Sequence, residues 1–172
     1  MYEIGHLVLS STPYVSVINK SNRLLRCHFC FKQLETENEF GCELCELVFY
    51  CSEGCKEHDR TAHECECRYL SATTSDTARL MIRLMGRERQ GCEGETMPNG
   101  SKRKLEYLMD HKENISKNEN AMDKILRTYD QLLRCGYELL PGYEEFGSLF
   151  GKVLINGFTV SDLSANHIAT GD

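Results

Sequence analysis

The chain of 172 residues lacks any apolar run of the roughly 18 to 20 residues that a membrane-spanning helix requires, and its mean hydropathy is −0.43. No apolar stretch flanked by Arg or Lys follows Met1, so the sequence shows no secretion signal. We therefore expect no membrane interaction and an intracellular location, in the nucleus, the cytoplasm or both.

Positive charge is also scarce. The sequence has 20 Lys and Arg residues against 26 Asp and Glu residues, which gives a formal net charge of −6. Its cluster Lys102-Arg103-Lys104 is too short to identify a nuclear localisation signal. Nucleic acids bind clustered cations that neutralise their phosphates, so this charge balance disfavours nucleic acid as a partner.

Cysteine, by contrast, is several times more frequent than in an ordinary protein, with ten residues in the chain. Eight of the ten lie in one window of 41 residues: Cys27, Cys30, Cys42, Cys45, Cys51, Cys55, Cys65 and Cys67. The other two, Cys92 and Cys135, have no partner at ligand spacing. We expect Cys92 to be a loop thiol and Cys135 to lie on a helix face. A disulfide framework is disfavoured, since no secretion signal marks an oxidising compartment.

Within this window a histidine joins seven cysteines to form four pairs of candidate metal ligands. The pairs are Cys27-x2-Cys30, Cys42-x2-Cys45, Cys51-x3-Cys55 and His63-x3-Cys67. A spacer of two or three residues lets one turn direct both side chains at a single ion, and a tetrahedral Zn(II) site needs two such pairs. The eight ligands therefore predict two structural zinc ions with no open coordination position for catalysis. The spacing leaves sequential and interleaved pairing open.

Some residues of the window compete for these roles. His58 and Cys65 could replace His63 and Cys67, but the His63-x3-Cys67 pair lies one helical turn apart and leaves Cys65 pointing away. His28 is expected to be exposed rather than ligating. A redox role for the two C-x2-C pairs is disfavoured because neither follows a strand at the start of a βαβ unit.

The charge of this segment limits its ligands. Residues 21–70 contain six Lys and Arg against ten Asp and Glu, a formal charge of −4. Seven thiolates with two Zn(II) ions add −3, so the metal-bound segment carries about −7. Because phosphate is repelled by such a surface, a protein or peptide is the expected ligand.

The flanks of the window predict strands and a helix. Short β-branched runs at 4–9 and 14–18 predict two strands around a turn. A Ser75-Asp76 cap precedes apolar residues at helical spacing, and this helix is predicted to end at Gly86. Residues 87–100 show no period and predict an exposed loop.

Two more helices are predicted towards the end of the sequence. The first carries the apolar stripe Met122, Ile125, Leu126, Tyr129, Leu132 and Leu133. Gly136 is expected to end it, and Pro141-Gly142 precedes a short helix from Phe146 to Val153. We interpret the Met, Leu and Phe stripes of all three helices as core faces rather than ligand sites.

The segment from Cys27 to Cys67 resembles the MYND zinc finger in all eight ligands and in Tyr50-Cys51-Ser52 before the third pair. That family interleaves its pairs. The resemblance therefore implies one ion held by Cys27, Cys30, Cys51 and Cys55, and a second held by Cys42, Cys45, His63 and Cys67. MYND fingers bind proline-containing peptides of partner proteins. The family usually has Trp three residues before the ligand histidine, where this chain has Arg60.

The flanks resemble the SET and MYND lysine methyltransferase family. The matching segments are Gly5-His6-Leu7-Val8-Leu9 with Pro13-Tyr14, then Ser75-Asp76-Thr77-Ala78-Arg79-Leu80, then residues 151–160. The resemblance implies an α+β fold in which a two-zinc, cross-braced MYND finger is inserted in a partial SET domain with a helical spacer. The implied divisions are N-terminal SET strands at 1–26, the finger at 27–67, a spacer at 68–140 and the start of the core SET segment at 141–172.

The resemblance also implies an activity for a complete SET domain, which uses S-adenosylmethionine to methylate a lysine of a histone or another protein. Asn156 occupies the position of a family asparagine in the cofactor pocket; alternatively it is a turn residue before Gly157. The family's Gly-rich strand turn, Asn-His-Ser-Cys motif, catalytic tyrosine and Cys-rich post-SET zinc site are absent from these residues. We therefore expect no catalytic residue here and no methyl transfer by these residues alone.

Two interpretations follow from these observations. In the first, the chain is part of a SET and MYND lysine methyltransferase. In the alternative, it is a non-catalytic MYND adaptor that binds a proline-containing peptide of a partner. Continuation of the transcript into Asn-His-Ser-Cys would favour the first. A ubiquitin ligase of the RING type is disfavoured because RING fingers have longer loops and a central histidine, whereas His63 lies in the last pair.

Overall fold

The structure, a computed structural model, describes residues 3, 6, 13–35, 40–70, 75–91, 100, 102, 104–161 and 167–169. The helices of this part of the chain are α1 Glu53–Glu66, α2 Asp76–Arg89, α3 Lys112–Ser116, α4 Glu119–Arg134 and α5 Tyr143–Asn156, with 3₁₀ turns at Lys20–Asn22, Cys67–Tyr69 and Leu105–Tyr107. Strands β1 Phe40–Gly41 and β2 Phe49–Tyr50 form one antiparallel pair, and β3 Val160–Ser161 and β4 His167–Ala169 form another. This mixture confirms the predicted α+β class.

Two apolar cores of unequal size hold these elements together. The larger is built from buried residues of α2, α4 and α5, such as Met81, Leu132 and Phe150. The smaller lies beneath the β1–β2 hairpin and consists of Cys27, Val48, Tyr50 and Leu70. Four buried side chains supply little hydrophobic free energy, so the segment around the hairpin needs a further source of stability.

Helix α2 is the central helix of the larger core, and every residue from Ala78 to Gly86 is buried. It begins where the sequence predicted, since Ser75 Oγ accepts a hydrogen bond of 3.1 Å from the Ala78 amide. The predicted end at Gly86 is wrong, because the helix continues to Arg89. Gly86 has another role: a Cβ there would lie 2.5 Å from Cys65 Sγ, so glycine allows α1 and α2 to approach closely.

The end of α2 also corrects the predicted loop at 87–100. Residues 87–89 are helical, and the chain leaves the helix at Gly91, whose φ of +63° suits glycine. Residues 92–99, including Cys92, lie outside the described residues.

Helices α4 and α5 confirm the two helices predicted towards the end of the sequence. Gly136, with φ of +69°, follows α4 as expected. The core-face interpretation is wrong for Leu126 and Leu133, which are 51% and 55% exposed. The buried stripe of α4 is narrower than predicted and consists of Ile125, Thr128 and Leu132. Ala121, Met122 and Tyr129 also pack against this core but are only partly buried.

The two strands predicted near the N-terminus are not both testable. Residues 4–9, apart from His6, lie outside the described residues. Residues 14–18 contain a single bridge residue, Ile18, rather than a strand, and Arg79 Nη1 of α2 donates to the Ile18 carbonyl at 3.0 Å. Among the described residues, no helix combines the length and apolarity needed to cross a membrane.

Candidate metal centre

The first group of ligand atoms joins the first and third pairs of the sequence. The Sγ atoms of Cys27, Cys30, Cys51 and Cys55 all lie within 4.8 Å of one another. Cys51 Sγ is 3.5 Å from Cys30 Sγ and 3.6 Å from Cys55 Sγ. Four sulfur donors of one small cluster therefore face a common point.

The second group joins the second and fourth pairs. The Sγ atoms of Cys42, Cys45 and Cys67 and a ring nitrogen of His63 lie within 4.8 Å of one another. Cys42 Sγ is 3.6 Å from Cys67 Sγ, and Cys45 Sγ is 3.6 Å from His63 Nε2. The structure thus brings together all eight predicted ligands in the interleaved order that the resemblance implied.

These spacings fit tetrahedral zinc. Zn–S bonds of 2.3 Å place two sulfurs of a tetrahedron about 3.8 Å apart, and a sulfur and an imidazole nitrogen about 3.6 Å apart. The observed separations of 3.5 and 3.6 Å agree within a few tenths of an ångström. Thiolate and imidazole are also the donors that structural Zn(II) sites use, so both groups fit a zinc ion.

The two C-x2-C pairs adopt the same local turn. The amide of Phe31 donates to the Cys27 carbonyl at 3.0 Å, and the amide of Glu46 donates to the Cys42 carbonyl at 2.9 Å. Phe31 and Glu46 have φ angles of +63° and +55°, which non-glycine residues adopt rarely. Each turn folds the chain back so that both cysteines of a pair point to the same side.

Helix α1 supplies ligands to both groups. Ser52 caps its first turn by accepting a hydrogen bond of 3.2 Å from the Cys55 amide, which places Cys55 beside Cys51 in the first group. His63 lies in its last turn and Cys67 follows its last residue, in the second group. One rigid helix of 14 residues therefore sets the distance between the two groups.

Burial and the neighbouring groups shift the pKa values of the clustered thiols in opposite directions. Partial burial and the neighbouring thiols of Cys51 and Cys27 raise the pKa of Cys30 to about 12. Partial burial and the second-group thiols likewise raise the pKa of Cys67 to about 12. Against the effect of burial, the Cys45 amide and the His63 ring lower the pKa of Cys42 to about 6. A divalent cation deprotonates coordinating thiols, which again suits a metal centre.

The competing residues of the window lie outside both groups. His58 is exposed, and its ring stacks on Phe29 with centroids 5.2 Å apart. Cys65 Sγ donates to the Thr61 carbonyl at 3.4 Å. The expectation that His28 is exposed is wrong: it is 2% exposed, and its Nε2 lies 3.1 Å from the Arg23 carbonyl. Burial lowers the pKa of His28 to about 3, so the ring is neutral.

A buried ionic network beside the second group was not predicted. It consists of two acids of α1, Asp59 and Glu66, and two arginines of α2, Arg79 and Arg83, all at most 5% exposed. Its charges sum to zero. The available sequence signal was two arginines, spaced i and i+4, within the apolar stripe of α2.

The geometry of this network is tight. Arg83 donates to both oxygens of Asp59 at 2.9 Å, and its Nη2 donates to Glu66 Oε1 at 2.7 Å. Arg79 holds Glu66 through two hydrogen bonds of 3.0 Å. Burial alone would raise the pKa of Glu66, but Arg83 and Arg79 hold it well below its usual range. Each of the four groups is therefore paired with at least one group of opposite formal charge.

Asn156 lies at the end of α5, where its side-chain amide donates to the Lys152 carbonyl at 2.8 Å. It lines a cavity of about 140 Å³ together with apolar side chains such as Leu84 and Phe158. Phe158 is 72% exposed. The side chain of Asn156 thus borders a cavity, while its amide is bonded to its own helix.

The fold and the two ligand groups define a small cross-braced finger with two zinc-binding clusters. Residues 27–67 match the MYND finger family. The matched segment begins and ends at the first and last candidate ligands, Cys27 and Cys67.

The similarity to known proteins extends beyond the finger. The chain is 25% identical over 177 aligned residues to the N-lysine methyltransferase SMYD2 of Bos taurus and, equally, to that of Homo sapiens, and each alignment covers 98% of the chain and 39% of the relative. It is 27% identical to the N-lysine methyltransferase SMYD2-B of Xenopus laevis, over 98% of the chain and 40% of the relative. The resemblance to the SET and MYND lysine methyltransferase family is thereby confirmed. The chain spans about two fifths of the length of these curated relatives.

Proposed function

We propose that residues 27–67 form a structural two-zinc MYND finger within a protein-lysine methyltransferase, and that the finger binds a partner protein. The ligands proposed for the first ion are Cys27, Cys30, Cys51 and Cys55, and those for the second are Cys42, Cys45, His63 and Cys67. The observation that carries the proposal is the pair of four-donor groups at tetrahedral spacing. The small finger core, with four buried apolar side chains, gives the metal a structural task.

The metal content tests this proposal directly. We expect two zinc ions per chain after purification in reducing buffer without chelator, because each group offers four soft donors. Elemental analysis by mass spectrometry, with protein concentration from amino-acid analysis, measures the ratio. One ion per chain, or none, would contradict the paired sites.

The enzymatic part of the proposal concerns the complete protein. The relatives are N-lysine methyltransferases, which supports S-adenosylmethionine as the cofactor and a lysine of a histone or another protein as the substrate. We propose Asn156 as a cofactor contact, since it borders a cavity rather than the core. The domain divisions at residues 26, 67 and 140 and the location in the nucleus or the cytoplasm also belong to this proposal.

A specific observation favours the adaptor function as a second candidate. A groove of about 510 Å³ runs along α1 and includes the second ligand group: it is lined by Cys42, His63 and Cys67 and, beyond them, by residues such as Leu44, Tyr50, Lys56, Arg60 and Arg68. Leu44 is 89% exposed at its edge. An open groove with an exposed apolar side chain suits a short peptide of a partner protein.

Arg60 tests the peptide proposal, since it replaces the tryptophan usual in MYND fingers. Its guanidinium forms an ion pair with Glu57 and is 59% exposed. We expect Arg60→Trp to bind a proline-containing peptide about 2- to 10-fold more tightly, because an aromatic ring adds about 0.5 to 1.5 kcal/mol of contact energy. Anisotropy of a labelled peptide measures the affinity. The control Arg60→Lys keeps the charge without a ring, and equal affinity of the two variants would contradict a peptide contact at residue 60.

A further inference from the structure

Glu66 occupies a position between two ligands of the second group. It is the last residue of α1, three residues after His63 and directly before Cys67, and it is 0% exposed. A carboxylate is seldom buried so completely unless it is paired. Its partners therefore indicate what it does.

One side of Glu66 faces His63. The Nε2 atom of His63 points into the ligand group, 3.6 Å from Cys45 Sγ, while Nδ1 lies 3.6 Å from Glu66 Oε1. The buried Nδ1 has no hydrogen-bond partner among the described residues, and it faces the Glu66 carboxylate. A ligand histidine ordinarily donates its second ring N–H to such a group, which fixes the tautomer and the ring orientation.

The other side of Glu66 faces α2. Arg79 donates to both carboxylate oxygens at 3.0 Å, and Arg83 donates to Oε1 through Nε at 2.9 Å and Nη2 at 2.7 Å. The carboxylate is thus held by four hydrogen bonds that do not involve the finger. Helix α1 sets the distance along the chain between Glu66 and His63, whereas these contacts with α2 hold the orientation of the Glu66 carboxylate.

The two arginines extend this connection to the segment before the finger. Arg79 Nη1 donates to the Ile18 carbonyl at 3.0 Å, and Arg83 Nη1 donates to the Ser16 carbonyl at 3.3 Å. Arg83 also binds Asp59, whose Oδ2 accepts a hydrogen bond of 2.9 Å from the Tyr50 hydroxyl of β2. A continuous chain of polar contacts therefore joins the second ligand group, the hairpin, α2 and residues 16–18.

We propose that Glu66 is a positioning residue for the second zinc site: it orients His63, and through Arg79 and Arg83 it couples occupation of that site to the packing of α2. The inference rests on the proposed zinc ligation. Packing of α2 then stabilises the second ion, and the second ion stabilises the packing of α2, since coupling between two sites is reciprocal.

The variant Glu66→Gln tests the positioning role. We expect the affinity for the second zinc ion to fall 10- to 100-fold while the first ion is retained, because a neutral amide accepts a weaker hydrogen bond from His63 Nδ1–H than a carboxylate does. Zinc release to a chelator of known affinity measures both ions. Nitrogen NMR of the His63 ring should also show faster solvent exchange of the Nδ1 proton, which a purely structural role would not change. The matched control is Glu64→Gln on the exposed side of the same helix.

Hydrogen exchange of the unaltered chain supplies a test that needs no variant. Removal of zinc should lower amide protection in α2, residues 76–89, and leave α4, residues 119–134, protected, because the hydrogen bonds of the network described above reach α2 and none of them reaches α4. Equal α2 protection with and without zinc, or an unchanged second-site affinity in Glu66→Gln, would overturn the inference. A zinc count below two in the unaltered chain would instead contradict the proposed function.

Discussion

Replacing Cys51 by serine is expected to release the first zinc ion and unfold most of the finger. Cys51 Sγ lies 3.5 Å from Cys30 Sγ and 3.6 Å from Cys55 Sγ, so it is central to its group. Zinc binding in small fingers contributes about 10 to 16 kcal/mol of apparent free energy, far more than four buried side chains can supply. Elemental analysis should give about one zinc or less per chain, and hydrogen exchange should show loss of protection over residues 27–67.

Cys65 provides the matched control for this experiment. It lies in the same window but outside both groups, and its Sγ donates to the Thr61 carbonyl. Cys65→Ser should keep two zinc ions and the amide protection of the finger, since the hydroxyl can make the same hydrogen bond. If both variants retained two ions, the assignment of Cys51 as a ligand would be wrong.

The second large effect is expected for Arg83→Met. The substitution leaves Asp59 and Glu66 buried with only Arg79 to balance them, since Arg83 binds both carboxylates at 2.7 to 2.9 Å. Breaking a buried ion pair by removing one partner costs about 3 to 5 kcal/mol. Urea unfolding of the zinc-saturated chain should show a loss of stability of this size.

Arg89→Met is the control for Arg83→Met. Arg89 lies in the exposed last turn of the same helix, so we expect its replacement to change the free energy of unfolding by less than about 0.5 kcal/mol. A cost below about 1 kcal/mol for Arg83→Met would show that the network does not stabilise the finger against α2.

The eight candidate ligands could be predicted because the members of each pair lie within one turn of the chain. Cys27 and Cys30, for example, need only the tight turn closed by the Phe31 amide, which is a local interaction. Helix α4 was predictable for the same reason, from apolar spacing and the glycine that follows it. Both features depend on residues that are neighbours in sequence.

The wrong predictions concern residues whose surroundings come from distant parts of the chain. The sequence indicated that Gly86 ends a helix, whereas its position is explained by Cys65, 21 residues earlier, which approaches it across two helices. His28 was expected to be exposed, but it is buried beside the Arg23 carbonyl and near Arg79 and Arg83. The groups that cover these residues come from distant segments, so no local pattern marks them.

The sequence by itself predicted the candidate metal and the pairs of candidate ligands, and it determined most helices, because short spacers and apolar periods act within one or two turns. The tertiary structure decided which stripe of α4 is buried, why Gly86 lacks a side chain and how Glu66 joins His63 to Arg79 and Arg83. Charge pairs between α1 and α2 form only when those helices are packed. Burial and long-range pairing are properties of the folded chain, and local spacing does not contain them.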